Sequence, residues 1–156
     1  MNDFERLLRD LQGFDINRIL KEVWKEPRVQ IEIEALITEG RPTSQLFEKG
    51  EDGLGVSLGN YSLTTILGSS SFEGKLSKGQ RIDHITLNDK GDYYESHFVV
   101  PLLTGFRVGA DGQKDDNNLF EVYGKDITLL SEENKIILCN FIQPFFDKHA
   151  KRFLPQ

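Results

Sequence analysis

From Gly50 to Ile82 the chain reads GEDGLGVSLGNYSLTTILGSSSFEGKLSKGQRI, and no hydrophobic period is sustained through it. So long a run of glycine and serine without periodicity is a loop, and loops of this length inside a compact domain are functional or disordered. Regular elements are therefore expected on either side of it. Within it, Tyr61, Leu63, Ile66 and Leu67 have the spacing of one helical turn that would pin the loop to the core. Residues 68–82 carry little apolar surface with which to order themselves. Tyr61, Phe72, Leu76 and Ile82 are then the candidate anchors for a partner on which this loop folds.

The N-terminal flank is helical in pattern. Phe4, Leu7, Leu8 and Leu11 form a short amphipathic stripe closed by Gly13. Asp15 is a good N-cap for a second helix carrying Ile16, Ile19, Leu20 and Val23, with Trp24 adjoining. Pro27 suits a first helical turn. After it, Val29, Ile31 and Ile33 alternate like a strand, whereas Val29, Ile33, Leu36 and Ile37 fit a helix. The pattern outruns ordinary strand length, so a helix is predicted. PTSQLFEKG reads as one or two further turns ending at Gly50.

The C-terminal flank mixes periods. FVVPLL and GFRVGAD are β-prone runs parted at Thr104 and Gly105, followed by a DGQKDDNN turn and LFEVYG, which together predict a small antiparallel sheet. Ser131, followed by Glu132 and Glu133, caps a terminal helix bearing Ile137, Leu138, Phe141, Ile142, Phe145 and Phe146, with a kink expected where Pro144 crowds Asn140. The expected architecture is a single α+β domain over residues 1–156: a helical N-terminal half, a small antiparallel sheet, and a long C-terminal helix packed on it.

At 156 residues the chain buries roughly two thirds of its unfolded surface in one core. Its 38% apolar and 28% charged composition fits a water-soluble fold, with no apolar run long enough to span a bilayer and no secretory leader in MNDFERLLRDL. Cys139 stands alone, so neither an internal disulfide nor a cysteine zinc cluster forms, and its helical spacing beside Leu138 and Ile142 predicts a buried, inert thiol. A net charge of −6 disfavours general phosphate binding.

His84, Asp89, Asp92, Glu95 and His97 gather in HITLNDKGDYYESHFVV. As a metal-dependent hydrolase site built on Asp89, Asp92 and His97 the cluster lacks the i, i+4 ligand pair of one helical face. The alternative is an architectural corner in which Asp89 caps a short helix and Gly91 with Asp92 shapes its first turn. ADGQKDDNNLFEV spaces Asp111, Gln113, Asp115 and Asn117 like a calcium loop, but Asp116 stands where glycine is needed and Val122 where a glutamate should be, so a polar hairpin turn explains it. No phosphate loop, dinucleotide fingerprint or nucleophile elbow is present, and no cofactor is expected.

Three stretches, LFEKGEDGLGVSLGNYSLTT (46–65), ITLNDKGDYYESHFVV (85–100) and LFEVYGKDITLLSEEN (119–134), taken in that order, resemble landmarks of small phage virion-morphogenesis and tail-completion proteins. Thr65 matches the family's loop threonine. Leu87, Asp89, Gly91, Tyr94 and Ser96 match its turn into the sheet, and Leu130, Ser131 and Glu133 its final helix start. Lys90 replaces the usual threonine, and Tyr61 stands without the preceding loop tryptophan. The resemblance implies a non-enzymatic subunit of the head-to-tail neck. Such a subunit would form a homo-oligomeric ring between a portal-side connector and tail proteins. It would be located in the virion and, during assembly, in the host cytoplasm, with double-stranded DNA passing through unbound and no membrane involved. Asp89, Gly91, Tyr94 and Ser96 would be its structural corner. A small protein-binding regulator is the third reading.

Overall fold

The computed structural model describes residues 14–114 and 117–153, so the predicted stripe at Phe4, Leu7, Leu8 and Leu11 lies outside the described residues. The chain is α+β, with helices in its N-terminal half, small antiparallel sheets and a long C-terminal helix.

Helix α1, Ile16–Trp24, begins where predicted: Asp15 Oδ1 accepts from the amides of Asn17 and Arg18 at 3.0 and 3.3 Å. Ile19, Val23 and Trp24 are buried and Ile16 is exposed. Pro27 occupies the first turn of α2, Pro27–Ile37. Burial decides between the two periods read for this segment. Val29, Ile33, Leu36 and Ile37 are fully buried while Ile31 is 63% exposed, whereas a strand would have placed Ile31 beside Val29 and Ile33. Glu32, also buried, is held by the Arg41 guanidinium, which folds the following turn back onto the helix. A π-helical turn, Gln45–Lys49, then ends at Gly50.

Strands β3, Phe98–Leu102, and β4, Gly105–Gly109, form an antiparallel hairpin with Phe98 opposite Gly109 and Leu102 opposite Gly105. The earlier two-residue strands β1, Gly68–Ser69, and β2, Phe72–Glu73, pair within the long loop. Short strands β5, Gln113–Lys114, and β6, Asn117–Asn118, make the polar hairpin expected of DGQKDDNN. One predicted strand is helical. LFEVY forms a helix, Leu119–Tyr123, because the Asn118 side chain accepts from the Phe120 amide and starts a turn that places Leu119 in the core and Val122 in solvent. A 3₁₀ turn, Lys125–Thr128, leads to the terminal helix, Glu132–Ala150.

That terminal helix is capped as predicted, with Ser131 Oγ accepting from the Asn134 amide, and it runs on through Pro144. It packs chiefly on α1 and α2, and these two in turn carry the β3–β4 hairpin, with the Trp24 and Phe106 rings 5.0 Å apart. Cys139 is exposed, contrary to the sequence expectation. The buried stripe of this helix is headed by a polar residue and runs through Asn134, Leu138, Ile142 and His149, so Cys139 falls one position off the face.

Asn134 and Gln45 form a buried polar junction. The Asn134 amide nitrogen donates to the carbonyls of Leu36 at 3.0 Å and Thr43 at 2.9 Å, and it approaches Gln45 Oε1 at 3.4 Å. Gln45 Nε2 donates to the Leu129 carbonyl at 2.7 Å, and Gln45 Oε1 accepts from the Ser131 amide at 2.6 Å. These bonds satisfy the buried Leu36 carbonyl near α2's C-terminus and groups of the chain entering the last helix. Asn134→Ala strands two carbonyls and is expected to lower stability by about 2–3 kcal/mol. Gln45→Ala should cost a similar amount. Because the two side chains share partners, the double variant is expected to lose less than the sum, read as urea midpoints; strict additivity would show that the junction is not one unit.

Candidate functional site

The corner begins at His84, whose Nε2 lies 2.9 Å from the Phe47 carbonyl, beside Arg81, which donates to the same oxygen at 2.6 Å. Leu87 follows in a left-handed conformation, φ 59°, an unusual state for a branched side chain that its burial in the core holds in place. Gly91, φ 92°, starts the short helix Asp92–Glu95. Tyr94 is the expected anchor: its ring is buried and its hydroxyl donates to the Thr86 carbonyl. Ser96 Oγ donates to the Tyr93 carbonyl at 2.7 Å and accepts from the Asp111 amide at 2.9 Å, tying the helix end to the chain leaving β4.

Asp89 is not the N-cap. Gly91 holds that position without a side-chain bond, and the Asp89 carboxylate instead meets three ammonium groups: Lys78 at 3.3 Å, Lys114 at 3.6 Å and Lys75 at 3.9 Å. Sequence spacing assigned the cap because aspartate two residues before a glycine turn is a frequent starter, and it was blind to lysines 11 and 14 positions upstream and 25 downstream. Partial burial pushes this carboxyl up, but the surrounding lysines outweigh burial and hold its pKa below the ordinary carboxylate value.

The segment expected to lack any means of ordering itself is pinned by polar groups. Lys75 is buried, donates to Gln80 Oε1 at 3.1 Å and the Asn88 carbonyl at 2.9 Å, and lies 4.8 Å from the centre of the Tyr61 ring. The Tyr61 hydroxyl accepts from the Thr86 amide at 3.0 Å. Tyr61 is thus an inward anchor and Ile82 is half-buried, whereas Phe72 and Leu76 face solvent. The predicted helical turn does form, as Leu63–Leu67, with Ser62 as its cap, but it buries none of its residues, so it does not pin the loop. A count of apolar residues misses an anchor made by an ammonium group.

A groove of about 1140 Å³ is lined by Leu54, Phe98, Phe106, Leu129, Leu138 and Cys139 among others. It lies between β4, the turn before the terminal helix, and that helix's first half. Among the described residues no group of three or more His, Cys, Asp or Glu side chains could hold a metal ion. Asp89, Asp92 and His97 are not brought together as a site: Asp89 is shared by lysines, Asp92 is exposed, and His97 is buried with Nδ1 2.9 Å from the Tyr93 carbonyl. No described helix is long and apolar enough to cross a membrane. Comparison with known protein families, with curated proteins and with solved structures finds no match for this chain.

Two outcomes are expected from this geometry. Asp89→Asn keeps any capping ability but removes the charge among three lysines, so it should destabilise by about 1–3 kcal/mol at neutral pH. The exposed control Asp92→Asn should cost far less, and equal effects in thermal unfolding would sink the ion-hub assignment. Burial lowers the His97 pKa, outweighing its backbone hydrogen bonds, so below the ordinary value of 6.5 the unfolded chain takes a proton that the folded ring refuses. Stability is therefore lost as pH falls from 6.5, by at most ~1.4 kcal/mol per unit, until the folded ring itself protonates. His97→Gln should flatten this part of the pH profile in urea unfolding between pH 7.5 and 5.5; an unchanged slope would contradict it.

Proposed function

We propose that this chain is a structural subunit of a tailed-phage neck, a tail-completion or head-tail joining protein that assembles into a ring around the DNA path. The observation that carries the reading is the ordered resemblance of residues 46–65, 85–100 and 119–134 to landmarks of that family. Those landmarks coincide with structural junctions here. Thr65 lies on the short loop helix, Leu87 to Ser96 form the corner into the β3–β4 hairpin, and Ser131 caps the terminal helix.

Two further features support a role in assembly. The 50–82 segment presents Leu54, Val56, Leu63, Leu67, Phe72 and Leu76 to solvent, and the edges of the β3–β4 hairpin pair with no third strand among the described residues. The charge of −6 per subunit repels phosphates, which suits a conduit that must let a duplex slide. A portal-side connector and tail proteins are the neighbours, and no step of chemistry is required. Assembly takes place in the host cytoplasm and the finished subunit resides in the virion.

Antibody labelling of purified virions of the source phage should place the chain at the head-tail junction, and a duplex should migrate unretarded with the purified protein at physiological salt. Absence from virions would overturn the reading, and tight duplex binding would overturn the passive-conduit account.

A further inference from the structure

A recess of about 480 Å³ shares no lining residue with the groove beside the terminal helix. Its lining is drawn from residues 60–78, the corner at 85–89, the β5–β6 hairpin and the helix Leu119–Tyr123. The volume falls within the ~300–1,000 Å³ of small-molecule sites. Two kinds of surface meet in it. Leu87 and Leu119, each 8% exposed, and half-buried Ile85 and Tyr123 supply apolar and aromatic surface, joined by the Phe72 ring. The other surface is ionic: the ammonium groups of Lys75, Lys78 and Lys114 all stand within 3.9 Å of the Asp89 carboxylate. An apolar lining with a few convergent polar groups is the composition of a ligand site.

The three ammonium groups differ in what they have left to offer. Lys75 is buried and already donates to Gln80 Oε1 and the Asn88 carbonyl, with Asp89 and the Tyr61 ring close by. Lys78 and Lys114 are 34% and 39% exposed, and among the described residues each meets only the Asp89 carboxylate, at 3.3 and 3.6 Å. An ammonium carries three donors, so both retain donors for a further acceptor. The lining sets these three lysines against two carboxylates, Asp89 and the exposed Glu73, which leaves one positive charge in a chain whose net charge is −6. A single carboxylate balances that charge, whereas a phosphate dianion overshoots it.

We infer that this recess binds a small carboxylic acid with an apolar body, its carboxylate meeting Lys78 and Lys114 and its body lying against Leu87, Leu119 and Tyr123. The same chemistry is offered by a free acid and by the C-terminal residue of a polypeptide. Such a site would serve a lone chain as well as a ring, and it does not rest on the neck reading.

Phenylpropionate titrated into methyl-labelled protein at low salt should shift the methyl resonances of Ile85, Leu87 and Leu119 saturably, with a Kd of roughly 1–10 mM for so small a probe. Phenylpropanamide, which lacks the charge, should bind at least about fivefold more weakly, and the double variant Lys78→Met/Lys114→Met should weaken the acid about tenfold. Lys90→Met, at an exposed lysine outside the recess, should change the affinity by less than about twofold. Asp89→Asn should act in the opposite direction and tighten binding about threefold, because it removes the anion that occupies both lysines. Glu73→Gln should shift affinity with the same sign and serves where Asp89→Asn does not fold. Equal binding of acid and amide, indifference to the lysine pair, or failure of both carboxylate variants to tighten binding would overturn the inference. Acetyl-Gly-Gly-Phe binding more tightly than phenylpropionate, with its C-terminal amide inert, would identify a chain end as the ligand; the reverse order would identify a free acid.

Discussion

The fold depends on a polar constraint at its centre. Two amide side chains, Gln45 and Asn134, are almost fully buried where α2 ends, the π-helical turn begins and the terminal helix starts. Each of those three ends carries backbone groups without intrahelical partners, which must be met by groups from elsewhere. Placing Asn134 between the Leu36 and Thr43 carbonyls, and Gln45 between Leu129 and Ser131, settles them and also fixes the register of the last helix against the first two. An apolar residue at either position would fill the space but leave the helix free to slide. Directional bonds specify one arrangement where hydrophobic contact permits several.

Much of the architecture was legible because it rests on local rules. Asp15, Pro27 and Ser131 mark helix starts through their own backbone neighbours, and the β3–β4 hairpin follows from two β-prone runs around a short turn. Failures arose where a residue's role depends on groups outside the pattern read for it. Asp89 looked like a cap and is an ion hub; Cys139 looked buried because its neighbours are apolar, while the stripe is set by Asn134; LFEVY looked like a strand until Asn118 proved to be its cap. The corner itself was readable at Gly91, Tyr94 and Ser96, since a left-handed turn, an aromatic anchor and a short hydroxyl are local requirements.

The long loop teaches a related lesson about how an irregular segment is held. Leu54, Val56, Leu63, Leu67, Phe72 and Leu76 face outward, and residues 63–76 are held largely by one buried ammonium that finds two oxygens and an aromatic face. That arrangement leaves the hydrophobic side chains free for another surface. A loop pinned by its leucines would have spent them on its own core, with nothing apolar left to offer a neighbour.

The attachment of residues 63–76 also defines a load path. Tyr61 and Lys75, near the two ends of this stretch, are fastened to residues 86–88, and from there Tyr94 and Ser96 lead into the buried cluster and the β3–β4 hairpin, both of which rest on the helices. A pull on the stretch is therefore borne first by a few hydrogen bonds at the corner and only then by the packed core. Such a chain would yield at its corner before its core unfolds.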